Sequence, residues 1–80
     1  MGVTIVFLGK LADLAGAPEK QVDAPLDWHG LLEALPGPLG EAVRQDRTRI
    51  AVDGVLVADK SALHAGEGSE VALLPPVSGG

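Results

Sequence analysis

The chain contains no cysteine and no tyrosine, and its aromatic content is one phenylalanine, Phe7, and one tryptophan, Trp28. The missing thiols exclude disulfides, thiolate zinc sites, iron–sulfur ligation and cysteine nucleophiles together. They leave an 80-residue chain without a covalent staple, at a size where folding buries only about 60% of the unfolded surface. Basic residues are also scarce: six Lys and Arg stand against eleven Asp and Glu, for a net charge of −5. That balance argues against nucleic acid as a partner, because phosphate binding needs a basic footprint. The one basic cluster is Arg44, Arg47 and Arg49, which beside Asp46 reads as a solvated turn. No apolar run approaches the ~20 residues of a membrane span, and the first residues lack the basic segment of a secretory signal. The expectation is a cytoplasmic domain with neither membrane nor nucleic-acid contacts.

What is present is aliphatic: 46% of the residues are apolar, and Leu, Val and Ala supply nearly all of them. Val3 to Leu8 alternates Val3, Ile5 and Phe7 on one face with Thr4, Val6 and Leu8 on the other. Both faces are largely apolar, which predicts a central strand covered on at least one side. Lys10 to Gly16 predicts about one helical turn, with Leu11 and Leu14 three apart and a closing glycine. Glu19 to Ala24 predicts a short strand stopped by Pro25. Asp27 to Leu35 is the best helix candidate: Asp27 supplies a cap, Leu31, Leu32 and Leu35 form a stripe, and Gly30 weakens it. Pro36-Gly37-Pro38 stops this helix, and a second short one is expected over Leu39 to Gln45. Arg49 to Val52 and Val55 to Ala58 predict strands around Asp53-Gly54, a favoured type I′ hairpin pair. A turn near Ser61 to Leu63 and a last strand over Glu70 to Leu74 complete the order. These elements predict an α+β domain, a mixed five-stranded sheet packed on one main helix plus short helical turns.

Catalytic constellations are missing. His29 and His64 have no partner at metal-ligand spacing, and both read as surface residues. Asp13, Asp53 and Asp59 fall in turns, where Asp bonds its own backbone. Gly66 and Gly68 precede a strand and read as turn punctuation, so no phosphate-cradling loop is present. Neither a metal nor a cofactor is expected on this chain.

The remaining signal is the end of the chain, Leu73-Leu74-Pro75-Pro76-Val77-Ser78-Gly79-Gly80. A terminal glycine pair arises by accident in roughly 0.5% of chains at average composition, so its context decides. Pro75 and Pro76 hold the backbone extended, as a stiff polyproline strut. Residues 75–80 are thus expected as an extended tail on a domain of residues 1–74. Its tip, Gly79 and Gly80, carries no side chain, which suits a carboxylate that must thread a narrow channel in another protein. A carboxylate becomes electrophilic only once a leaving group is attached. Adenylation of Gly80 by an ATP-using enzyme, then displacement of AMP by a sulfur donor, would let a chain without cysteine carry sulfur as a thiocarboxylate.

This tail resembles the C-terminal signature of the small subunits of molybdopterin synthase, which are ubiquitin-like β-grasp sulfur carriers. Gly68-Ser69-Glu70-Val71-Ala72 and Leu11-Ala12-Asp13-Leu14-Ala15-Gly16 add to the resemblance, which spans nearly the whole chain. The chain departs from the family pattern at Ala12, where an arginine is frequent, and at Leu73 and Leu74, where aromatics are frequent. The resemblance implies a β-grasp fold and activation of Gly80 by a ubiquitin-activating-like adenylyltransferase that consumes ATP. It further implies that Val77, Ser78 and Gly79, led by Pro75 and Pro76, insert into the large synthase subunit within a heterotetramer. Sulfur would then pass to cyclic pyranopterin monophosphate in molybdenum cofactor biosynthesis. Leu8, Leu56 and Leu74 are the implied partner interface. Alternatives are a carrier serving thiamine, tRNA thiolation or cysteine synthesis, a ubiquitin-like protein-conjugating modifier, and a plain interaction module.

Overall fold

The computed structural model describes residues 2–76. Along the chain, β1 (Val3–Phe7) leads into α1 (Lys10–Ala15), β2 (Glu19–Val22) and the two-residue β3 (Leu26–Asp27). Two seven-residue helices follow, α2 (Trp28–Ala34) and α3 (Pro38–Arg44). Next come β4 (Arg49–Val52), β5 (Val55–Leu56), a 3₁₀ turn over Lys60–Ala62, β6 (His64–Ala65) and β7 (Glu70–Leu74). Five strands form one mixed sheet in the order β2-β1-β7-β4-β5, while β3 and β6 pair separately. β1 and β7 lie parallel near the middle of the sheet, and the other neighbours are antiparallel. This is the expected β-grasp arrangement.

The period-two alternation of β1 is realised in burial. Val3, Ile5 and Phe7 are buried while Thr4 and Val6 stay partly open. Register carries the buried face across the sheet: Ile5 stands beside Val71, Phe7 beside Leu73, and Leu73 beside Ile50. The three helices cover that one face, contributing Leu11 from α1, Leu31 from α2 and Leu39 and Val43 from α3, with Leu35 from the α2–α3 link. Leu11 is buried as its spacing predicts, but Leu14 is half exposed because α1 ends one residue later and packs by one side only.

Local signals act where they were read. The Asp27 carboxylate accepts a hydrogen bond from the Gly30 amide at 2.7 Å, capping α2. Asp53 and Gly54 both take positive φ, 50° and 85°, and join β4 to β5 as a tight hairpin. The Asp53 carboxylate also accepts from the Glu70 amide at 2.9 Å and the Ser69 hydroxyl at 3.0 Å, which ties the hairpin to the start of β7.

Several boundaries move. The strand expected to reach Ala24 ends at Val22, because Val22 pairs with Val3, the first residue of β1, and nothing beyond it offers a ladder. Leu26–Asp27 instead pairs with His64–Ala65, a short ladder that places His64 in a strand. The strand expected through Ala58 ends at Leu56, although the Val57 amide still donates to the Ile50 carbonyl at 2.8 Å. Pro38, read as part of a helix stop, opens α3, where its missing N–H costs nothing.

The C-terminal end of α3 has a cap that no motif announces. The buried Thr48 hydroxyl donates to the Ala42 carbonyl at 2.7 Å. The Lys60 ammonium donates to the carbonyls of Val43 at 2.8 Å, Thr48 at 3.0 Å and Gln45. All three of its protons are thereby used on backbone oxygens, two at the end of α3 and one in the link to β4. Lys60 also lies 5.7 Å from the centre of the Trp28 ring. Burial, only partly offset by Asp46, holds its pKa below the ordinary lysine value.

Candidate functional site

β7 determines where the C-terminal tail begins. It is the middle strand of the sheet and runs parallel to β1, so both strands finish at the same edge of the molecule. Leu74 is the last residue of β7, and Pro75 and Pro76 continue outward from it. Proline cannot donate to a ladder, so pairing stops there on physical grounds.

Pro75 leaves over Gly9, the residue that joins β1 to α1. Gly9 has φ of +56° and ψ of −134°, a backbone state that residues with a Cβ avoid. A Cβ at Gly9 would lie 3.1 Å from the Pro75 ring. The missing side chain therefore does two things: it allows the turn into α1, and it lets the proline ring settle against the backbone. Pro75 and Pro76 also wall a cleft of about 170 Å³ with Lys10, Leu11, Leu14 and Ala42. The root of the tail is thus seated on α1 and the neighbouring α3. Val77, Ser78, Gly79 and Gly80 lie outside the described residues.

The face of the sheet away from the helices is the second component. Alternation and register place Val6, Ala72, Ala51 and Leu56 in a row across four strands. One step nearer the tail come Leu8, whose amide donates to the Leu73 carbonyl at 3.3 Å, then Leu74, then Arg49 opposite Leu74. Leu8, Leu56 and Leu74, proposed from sequence as a set, thus share one face. Leu8 is 39% exposed and Leu56 65% exposed, so apolar surface is available to a partner beside the tail root. The opposite end of the same face carries Thr4, Gln21 and Glu70, with Gln21 donating to the Thr4 hydroxyl at 2.7 Å.

The residues set aside from sequence stay at the periphery. His29 and Glu33 form an exposed pair at 3.7 Å on α2, and His64 is exposed on β6. Asp59 caps the 3₁₀ turn, accepting from the Ser61 amide and hydroxyl, and those bonds hold its carboxyl below the usual carboxylate range. Among the described residues no three His, Asp or Glu side chains converge on a metal-sized site. The larger clefts, of about 310 and 390 Å³, are open; the first shares Leu14 and the second Thr48 with the cleft at the tail root. Sequence reasoning missed Gly9 as a tail support, since a glycine after a strand ordinarily signals only a turn. It also missed Lys60, whose three acceptors come from a segment twelve or more residues away.

Comparison with known proteins agrees with this geometry. A family model described as the ThiS family matches residues 5–80, a span that includes the terminal glycine pair. Among curated proteins none matches. The solution structure of the HVO 2177 protein of Haloferax volcanii has a TM-score of 0.77 at 22% identity, covering 100% of this chain and 87% of that one, and speaks for the fold. SAMP1 from the same organism has a TM-score of 0.65 at 28% identity, covering 98% of each chain. A chain from the complex of subunits 1 and 2 of the molybdopterin-converting factor of Helicobacter pylori has a TM-score of 0.67 at 25% identity, covering 100% of each. No helix among the described residues is long and apolar enough to cross a membrane.

Proposed function

The chain belongs to the ThiS family, and from that premise we propose that it is a sulfur carrier, the small subunit of a molybdopterin synthase, working through Gly80. The observation that carries this reading is a family match running through Gly79 and Gly80 on a sheet whose middle strand passes directly into Pro75-Pro76. The Gly80 carboxylate attacks the α-phosphorus of ATP on an activating adenylyltransferase, and pyrophosphate leaves. A sulfide-level donor then attacks the acyl carbon, AMP departs, and Gly80 holds a thiocarboxylate. Residues 75–80 enter the active site of the large subunit, where the sulfur bonds to a side-chain carbon of cyclic pyranopterin monophosphate as the carbon–oxygen bond it replaces breaks and the oxygen leaves, protonated, on its own fragment. Water then cleaves the acyl–sulfur bond and returns the carboxylate. This chain contributes the reach of its tail, the slimness of its tip and the docking face of Leu8, Leu56 and Leu74; ATP and the precursor bind its partners.

The partner follows from the Helicobacter pylori neighbour, which is one member of a complex of two subunits. The proposed assembly is the heterotetramer that the resemblance of the tail implies, in which the large subunit supplies the catalytic side chains. A second reading, a ubiquitin-like modifier that forms isopeptide bonds through Gly80, draws on the likeness to SAMP1 and to a crystal structure described as small archaeal modifier protein 1.

Intact-mass measurement after incubation with the cognate activating enzyme, ATP and a sulfur source separates the two. The expected product is one oxygen replaced by sulfur, with no gain in the chain lacking Gly80 and no change in that variant's thermal midpoint. Adducts to lysines of other proteins, with no sulfur uptake, would establish the modifier reading. Reconstitution with the large subunit and precursor, assayed for molybdopterin, distinguishes this carrier from those of other pathways.

A further inference from the structure

The backbone that Lys60 caps at the end of α3 is also the backbone on which the tail root rests. One wall of the cleft beneath Pro75 and Pro76 is Ala42, Gln45 and Thr48; the other is Lys10, Leu11 and Leu14 of α1. The Lys60 ammonium donates to the carbonyls of Gln45 and Thr48, and to that of Val43 beside Ala42. The Thr48 hydroxyl donates to the Ala42 carbonyl, and the Thr48 amide to the Gln45 carbonyl at 3.1 Å. Every residue of the first wall is therefore held by Lys60, by Thr48 or by both. A second connection runs through the sheet. Arg49, next after Thr48, opens β4 and stands opposite Leu74, the residue before Pro75. The segment that Lys60 holds thus meets the tail root twice, through the cleft and through the β4–β7 register.

Lys60 is itself fixed in place. Asp59 caps the turn that carries it, accepting from the Ser61 amide at 3.0 Å and the Ser61 hydroxyl at 2.7 Å. The Trp28 ring of α2 lies against the ammonium. An ammonium with three protons on backbone oxygens makes charge-assisted bonds, stronger than bonds between neutral groups. We infer that Lys60 is a positioning residue for the tail: it fixes the α3–β4 link, and through that link the seat of Pro75 and Pro76, so that the chain beyond Pro76 starts from one place and in one direction. The inference rests on the proposed synthase reading, in which the tip of the tail must reach a reacting carbon inside another protein. Rates of such reactions depend steeply on placement, and a displaced root displaces what is threaded beyond it. Lys60 touches no reacting atom; its effect passes entirely through the seat.

The test compares sulfur transfer from chains already loaded to completion, in a single turnover on the large subunit with its precursor, at a temperature where every variant is folded. Lys60→Met is expected to slow transfer about threefold to tenfold. Pro75→Ala disturbs the same seat from the other side, and the double variant is expected to be no slower than about the slower single one. Val3→Ala opens the core at the end of β1 away from the tail and is expected to change the rate by less than about twofold. In the free Lys60→Met chain, hydrogen exchange should quicken more at the Thr48 and Leu8 amides, which donate to Gln45 and Leu73, than at the Thr4 amide, which donates to Ser69. Transfer at the unaltered rate, losses that multiply in the double variant, or exchange quickened alike at all three amides would overturn the assignment. Slowing by Val3→Ala as large as that by Lys60→Met would do the same. If the unaltered, loaded chain transfers no sulfur, the synthase reading falls, and the exchange pattern of the free chain decides whether Lys60 holds the seat.

Discussion

The two faces of the central sheet carry nearly the same chemistry and meet different fates. Val3, Ile5, Val71, Leu73 and Ile50 point to the helices and are sealed from water, whereas Val6, Leu8, Leu74 and Leu56 point away and have no covering layer among the described residues. A sheet under selection for folding alone would place polar residues on its open face. Here Thr4, Gln21 and Glu70 occupy one end, while Leu8, Leu74 and Val6 gather where the tail leaves, with Glu19 and Arg49 at their margins. The edge strand β2, Glu-Lys-Gln-Val, is protected by charge against non-specific pairing, so apolar exposure is localised rather than general. One face is used to fold; the other leaves apolar surface open beside the tail root.

Neighbouring residues on β7 make the comparison testable. Leu73→Ala removes a fully buried side chain and is expected to cost about 2–5 kcal/mol in urea denaturation, enough to leave much of a domain this small unfolded. Lys60→Met keeps the stem but abandons three carbonyls; the expected loss is about 2 kcal/mol, with sulfur loading intact under conditions where the variant is folded. Gly9→Ala forces a Cβ into a positive-φ turn and against Pro75, for about 1–3 kcal/mol. Its distinguishing readout is synthase turnover per thiocarboxylate loaded, which should fall because the tail root is displaced, while Pro75→Ala should lower the same ratio without the loss of stability. At the small end, Leu56→Asp is expected to shift stability by no more than about 0.5 kcal/mol, because the residue is already largely in water. Binding to the large subunit should nonetheless weaken severalfold. Unchanged binding would remove Leu56 from the docking surface and confine that surface to Leu8 and Leu74.

Much of this is legible in the sequence alone, and the reason is local. The alternation in Val3–Phe7, the Asp27 cap and the Asp53-Gly54 pair each act through atoms a few residues apart, so the pattern and its cause sit in the same short window. What escaped depends on distant partners. The pairing of Leu26–Asp27 with His64–Ala65 is two residues long and has no periodicity to detect. Val22 ends its strand because β1 begins at Val3, which no property of residues 19–24 encodes. Arg49 reads as one more arginine in a turn until Leu74 is found opposite it.

The sequence by itself determined the chemistry available to this protein: no thiol, a core built almost entirely from aliphatic side chains, and a proline-stiffened run to two glycines at Gly79 and Gly80. Those are properties of composition and of adjacent residues, and folding does not alter them. Only the tertiary structure decided where that chemistry is presented. Placing β7 between β1 and β4 sends the tail out from the middle of an apolar face. Packing of Pro75 against Gly9 seats its root, and strand register sets Arg49 opposite Leu74. Each of these is a contact between segments far apart along the chain, created by closure of the sheet.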